Sequence, residues 1–425
     1  MKVAIYAGMF IKNQDGATKT LYELSDSLLK RNIKVGIWAF SITFQKKKGL
    51  SLFKIPAIPL YFYPEYQIAI PNFKIKKQLD AFKPDMIHIA TPDLIGIFMI
   101  KYAKKKKIPL VMSYHTDFPS YLKSYKIDFL KDSVWKYFKW FYNQAEIVFV
   151  PTKEIEQKLK EKGIKNTKIW TRGIYIKKFN PTFRSKTLRT QWGADGKNVI
   201  LYSGRFVWYK DLKTFIEIYN LFKERGPKNT LFVLLGTGPI EEKLMKSMPE
   251  AIFPGYLSGK KLSEAYASAD IFLFPSTTET FGNVVQEALS SGIPSVVSNK
   301  GGCKEIVNNS KGGLIAKSKD AESFYQCCKR LISEKKLFKR LQDNGLRYSK
   351  KRTWKNINDK VISQYFKIYN RKRELRKRQI LIEQGRFSKS WIYFLFSILF
   401  FNLTRILIRN VKRNKIKENS IVTTK

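Results

Sequence analysis

The densest chemistry in this chain lies between Ser276 and Pro294, Ser-Thr-Thr-Glu-Thr-Phe-Gly-Asn-Val-Val-Gln-Glu-Ala-Leu-Ser-Ser-Gly-Ile-Pro. Its two carboxylates, Glu279 and Glu287, are eight positions apart. Asn283 to Ser290 carries the apolar spacing of a packed helix that starts near Gly282 and stops near Gly292. The first turn, around Phe281, Gly282, Asn283 and Val284, offers unpaired amides and the positive end of the helix dipole, a seat for phosphate. Asn283 and Glu287 share one face, and Glu279 sits in the preceding loop. The pattern is two carboxylates around an anion-binding helix start, one suited to a sugar's hydroxyls and the other to a ribose diol. Without its surroundings, the pair reads more simply as a dipole partner and a solvated helix face.

The flanks define what must hold these residues. Ala269 to Pro275 reads as a short buried strand stopped by proline, and Ser295 to Ser298 as the next strand. The amino terminus repeats the scheme: a strand at Lys2–Ala7, a loop from Gly8 to Gly16, and a helix from Ala17 to Lys30 with Leu21, Leu24, Leu28 and Leu29 at helical spacing. Strand, glycine-bearing loop and helix open a doubly wound domain, whose ligands bind outside the carboxyl ends of the strands. Further strands are expected at Val35–Phe40, Asp85–Ile89, Leu110–Ser113, Glu146–Val150, Lys168–Trp170, near Asn198 and at Thr230–Leu235. The fold class is α/β.

These blocks resemble the glutamate–seven residues–glutamate signature of the family 4 retaining glycosyltransferases, which have the two-domain GT-B fold. Gly204-Arg205 with Lys210 resembles the element that grips the donor diphosphate there, with Asp211 replacing a glycine. Tyr114-His115-Thr116-Asp117-Phe118-Pro119 resembles a block whose histidine contacts the donor sugar near the reacting carbon. Gly16 matches the glycine that approaches the donor phosphate or acceptor; it reads equally as part of a helix-capping loop. Gly236-Thr-Gly238-Pro239 and Ile252–Tyr256 occupy the stretches that lie near the nucleotide and its base. Pro84-Asp85-Met-Ile-His88 matches a strand in which His88 is structural. At Arg172-Gly173-Ile174 the family's following aspartate is Tyr175, which weakens a polar role for that position. The resemblance covers about residues 1–370. It implies that His115, Glu279, Arg205 and Lys210 serve catalysis, and that Gly16, Gly204, Arg205, Lys210, Phe281, Gly282, Asn283, Val284 and Glu287 bind the donor.

At 425 residues and 44% hydrophobic content, the chain can bury two cores. Cys303, Cys327 and Cys328 form no disulfide framework or ligand spacing. Two histidines cannot build a histidine metal site, and no Asp-x-Asp pair is present. Arginine, lysine and helix ends are therefore expected to neutralise the phosphates, with no metal and no cofactor beyond a nucleotide-sugar co-substrate.

The formal net charge is +46, which seeks polyanions. No nucleic-acid-binding motif accompanies it. Ser41–Tyr66 mixes aromatics with Lys46, Lys47, Lys48 and Lys54, and reads either as strands packed on the core or as a surface entering a lipid interface. Tyr121–Tyr142 alternates aromatics and lysines too densely for one dry face and is read as an interfacial helix. Lys335–Tyr369 is expected to be helical, with Trp354 in a helix crossing back to the first domain. Arg371–Arg378 holds six basic residues. The apolar run Trp391–Leu403 is shorter than the ~20 residues of a spanning helix and is expected to lie in, or span, a membrane.

The expected organisation is a Rossmann-like acceptor domain at 1–182, a nucleotide-sugar domain at 183–350, a crossover helix at 351–370 and a membrane-associating tail at 371–425. The chain also resembles the bacterial diacylglycerol glycosyltransferases, which implies hexose transfer, of galactose or glucose, from a UDP-sugar to diacylglycerol at the cytoplasmic face of an anionic membrane. The nearest alternative uses GDP-mannose and a lipid or lipid-linked glycan. Rivals from other classes are a basic nucleic-acid-binding protein on a degenerate scaffold, which would bind with steep salt dependence, and a membrane scaffold without catalysis.

Overall fold

A computed structural model of the chain describes residues 1–11, 16–43, 47–60, 63–121, 128–376 and 378. Runs of apolar residues form strands buried on both faces, as Ile271–Phe274 shows. Among the described residues, nine strands occupy the first part: β1 (Lys2–Ile11), β2 (Lys34–Thr43), β3 (Leu50–Lys54), β4 (Ala57–Leu60), β5 (Tyr63–Ala69), β6 (Met86–Ile89), β7 (Leu110–Ser113), β8 (Ile147–Val150) and β9 (Thr167–Ile169). Seven of them form a parallel sheet in the order β3-β2-β1-β6-β7-β8-β9, and β4 and β5 make an antiparallel pair. A second parallel sheet follows in the order β12-β11-β10-β13-β14-β15. Its strands are β10 (Asn198–Ser203), β11 (Thr230–Leu235), β12 (Ile252–Gly255), β13 (Ile271–Phe274), β14 (Ser295–Ser298) and β15 (Gly313–Ala316).

In each sheet the strand order reverses beside the first strand, between β1 and β6 and between β10 and β13. Chain leaving the carboxyl ends at such a point splays to opposite sides and opens a crevice. The two sheets lie on either side of the expected boundary at residue 182, and both belong to one compact body, Met1–Tyr365. A second body, Phe366–Lys425, is described only through residue 376 and at 378. The expected apolar anchor at 391–403 lies outside the described residues. Among the described residues, no helix is long and apolar enough to cross a membrane.

Three expectations change, and one of two open readings is decided for part of its stretch. The loop expected from Gly8 begins later, because β1 continues past Gly8 (φ 68°) to Ile11, with Met9, Phe10 and Ile11 paired to Ser41, Ile42 and Thr43. The helix expected over 335–369 is broken at 351–353, where Thr353 bridges to Ile174 and the Ile174 amide donates to Arg352 O. In the aromatic-lysine stretch, Lys131–Tyr142 does have a dry face: Trp135, Phe138, Phe141 and Tyr142 are buried while Lys136, Lys139 and Trp140 are exposed. Residues 122–127 of that stretch lie outside the described residues. In the Ser41–Tyr66 stretch, Phe53 stacks on Trp38 with ring centroids 4.3 Å apart, so this part packs on the core. Residues 44–46 and 61–62 lie outside the described residues.

Candidate active site

The second sheet's switch point assembles most of the expected site. β10 ends at Ser203 and delivers Gly204 and the exposed Arg205; the short turn Trp208–Lys210 then carries Lys210 back. From β13 the chain enters the loop holding Glu279. Lys210 Nζ is ion-paired with Glu279, their side chains only 16% and 24% exposed. Burial lowers the Lys210 pKa, but the Glu279 carboxylate outweighs it and the net shift is upward, so the ammonium stays charged. Asp211 sits at φ 58°, a left-handed conformation that favours the glycine it replaces. Its carboxylate accepts from Thr277 N at 3.0 Å and Thr277 Oγ1 at 2.6 Å, tying the glutamate loop to the Lys210 turn.

The helix Asn283–Ser290 begins at Gly282, φ 93°, with no side-chain cap on its first turn. A Cβ at Gly282 would run into Cys303 Sγ. Phe281 is buried beneath this turn, and Val284 is half-buried on it. Glu287, 8% exposed, accepts from Tyr266 OH at 3.3 Å and lies 2.9 Å from Lys19 Nζ. Lys19 belongs to the helix Gly16–Leu29 at the start of the chain, and nothing in its local sequence distinguishes it. Gly16 also meets the glutamate helix: a Cβ there would sit 2.7 Å from Asn283 Nδ2.

The first sheet contributes His115 at the carboxyl end of β7. His115 is buried with both ring nitrogens engaged, Nε2 at 2.8 Å from Ser113 Oγ and Nδ1 at 3.1 Å from Arg172 Nη2. Its main-chain carbonyl accepts from Thr280 Oγ1 at 2.9 Å, next to Glu279. Burial, then the Arg172 charge and then His88 hold His115 well below the ordinary histidine range. His88 is structural: Nε2 lies 2.9 Å from Ser113 Oγ, and Nδ1 meets the Tyr365 hydroxyl. Tyr175 has a polar partner after all, donating its hydroxyl to Glu23.

Beside His115, at the β1/β6 switch point, lies a cavity of about 240 Å³. Apolar walls from Met9, Phe40, Phe118 and Tyr142 surround the polar groups of Thr91 and Asp93. The two halves meet through Lys19–Glu287, Thr280–His115 and Gln286 Nε2, which donates to Arg172 O at 3.2 Å. Asn283 Oδ1 is buried here and, among the described residues, has no hydrogen-bond partner. Among the described residues no group of three histidines, cysteines or carboxylates could hold a metal ion.

Two parallel sheets with their carboxyl ends together and a paired-glutamate loop and helix between them define a GT-B glycosyltransferase, and this chain is one. The family model described as "Glycosyltransferase Family 4" matches residues 14–177, and "Glycosyl transferases group 1" matches 185–348. A GDP-mannose-dependent alpha-mannosyltransferase of Mycobacterium tuberculosis is 28% identical over 74% of this chain and 83% of its own. The sulfoquinovosyl transferase SQD2 of Arabidopsis thaliana is 29% identical over 73% of this chain and 62% of its own. The alpha-monoglucosyldiacylglycerol synthase of Streptococcus pneumoniae is 23% identical over 74% and 75%. Among solved structures, a sucrose-phosphate synthase from Thermosynechococcus elongatus shares the fold with a TM-score of 0.72 at 19% identity, covering 87% of this chain and 99% of its own.

Proposed function

We propose that the chain transfers a hexose from a UDP-sugar to the hydroxyl of a membrane lipid, diacylglycerol, at the cytoplasmic face of an anionic membrane, retaining the anomeric configuration. The observation that carries this reading is the convergence of Lys210–Glu279, Glu287 and the uncapped helix start at Gly282 beside His115 and the apolar cavity. In this reading Glu279 holds sugar hydroxyls and Glu287 the ribose. Arg205, Lys210 and the amides around Phe281 to Val284 neutralise the departing diphosphate, while Gly204 lets the chain approach it. Gly16 and His115 position the donor. The leaving phosphate takes the acceptor's proton on the same face of the sugar.

The lipid acceptor is supported by the cavity walls, by the formal charge of +46, and by Phe73, Phe129 and Trp140, which the first half exposes. The name of the streptococcal relative, a monoglucosyldiacylglycerol synthase, points the same way. A second reading, with GDP-mannose as donor, draws on the mycobacterial relative's name. Purified protein incubated separately with UDP-glucose, UDP-galactose and GDP-mannose, in the presence of anionic liposomes containing diacylglycerol, tests both. A hexosyl-diacylglycerol from a UDP-sugar is the expected product. A mannosylated product from GDP-mannose alone would select the second reading, and no glycolipid from any donor would overturn the lipid acceptor.

A further inference from the structure

Arg172 is 4% exposed, and among the described residues it has no carboxylate partner. A buried guanidinium without a counter-charge is costly unless its protons are taken up by lone pairs. Here Nη1 donates to Trp170 O at 2.8 Å, Nη2 meets His115 Nδ1 at 3.1 Å, and the cation lies over the Trp170 ring, 5.5 Å from its centroid. An arginine can only donate, so His115 Nδ1 must accept. The ring's one proton is then on Nε2, where it meets Ser113 Oγ.

We infer that Arg172 is a positioning residue for His115, holding its ring neutral with Nδ1 unprotonated and Nε2 protonated toward Ser113. The inference deepens the reading of this cleft as the donor site. Both nitrogens are committed, so the imidazole is not the acid or base of the reaction. It presents a fixed main-chain carbonyl, shared with Thr280, to the site beside Glu279. An imidazolium here would put a second cation against the first. Burial lowers Arg172 to about 9, which leaves it charged at neutral pH. The groups around the ring are Arg172 after β9, Ser113 on β7, Trp170, and His88 on β6, which leads on to Tyr365. The nearby Asp117 carboxylate is engaged with Tyr114 and Lys158.

The chain has two histidines, so ¹⁵N-histidine labelling yields two ring systems, which a His115→Gln variant assigns. The expected wild-type spectrum shows His115 neutral from about pH 5 to 9, with a pyridine-type Nδ1 and a pyrrole-type Nε2. Arg172→Met is expected to bring in the other tautomer or a titration between about pH 5 and 7, and Arg172→Lys to restore the wild-type pattern. Wild-type His115 protonated on Nδ1, or its spectrum unchanged in Arg172→Met, overturns the proposal. The wild-type spectrum needs no variant to fold and no substrate, so failure here is separate from failure to find transfer activity. In a pH–rate profile, Arg172→Met should add an acid limb that wild type and Arg172→Lys lack.

Discussion

Lys19 Nζ lies 2.9 Å from Glu287 Oε1, joining the first helix of the chain to the helix proposed to hold the donor's ribose. The two side chains are 19% and 11% exposed, so solvent screens the pair only partly. A ribose diol donating to Glu287 would share or displace this lysine. Lys19→Met leaves a buried carboxylate without its cation, at a cost of roughly 1–3 kcal/mol. The variant should unfold at a lower temperature than wild type and gain more stability from added UDP or GDP. Thermal melts with and without nucleotide measure both, and an equal nucleotide-induced shift in the two proteins would remove Glu287 from the ribose site.

Glu279 and Lys210 form an ion pair. Glu279→Ala and Lys210→Ala should each reduce kcat by roughly 10²–10³, the loss typical of a group that acts on developing charge. Glu279→Ala should also lower the Lys210 pKa, since burial then acts unopposed. Initial rates with saturating liposomes provide the check. Wild-type turnover in both variants would mean the reaction occurs elsewhere.

Asp211 is set between strain and hydrogen bonding. Glycine would relieve its φ of 58°, worth about 1 kcal/mol. It would also remove two bonds from a carboxylate to Thr277, each worth roughly 1.5–3 kcal/mol. The bonds win, so Asp211→Gly should lower activity by about tenfold through a loosened Glu279 loop. Equal or higher kcat in this variant would show that the Thr277 contacts do not hold the loop.

A Cβ at Gly16 would sit 2.7 Å from Asn283 Nδ2, so the Asn283 amide would have to shift to admit it. Gly16→Ala should raise the donor KM and lower kcat, and Asn283→Ala on top of it should recover part of the loss, because it removes the clashing Nδ2. Strictly additive losses in the double-mutant cycle would place the damage elsewhere.

Burial raises the Asp93 carboxyl to about 6, against the opposing hydrogen bonds from Tyr6 and the Gly96 amide. The folded chain therefore holds this proton more tightly than the unfolded chain. The stability it contributes is fully present below about pH 4 and is lost as pH rises through about 6, by at most ~3 kcal/mol. Asp93→Asn keeps the cap of the helix Leu94–Lys106 and removes the titration. Urea unfolding from about pH 4.5 to 7.5 should give a flatter stability profile for the variant. An unchanged slope would mean Asp93 titrates normally.

Much of the site was readable because its signals are local. The helix Asn283–Ser290 and the strand β14 occur at the residues their periodicity marks, since a strand stop, a glycine start and an apolar repeat act over a few residues. Lys210 and Glu279 were both singled out, but only the strand order, which sets β10 beside β13, makes them partners. Lys19 with Glu287, Arg172 with His115, Asp211 with Thr277 and Tyr175 with Glu23 were not readable. Each pair joins residues 57 to 268 positions apart. With 80 lysines and arginines against 34 carboxylates, charge cannot choose one partner. The dry face of Lys131–Tyr142 was missed for a related reason: which side of a helix is buried depends on what packs against it, and that is set by sheet topology.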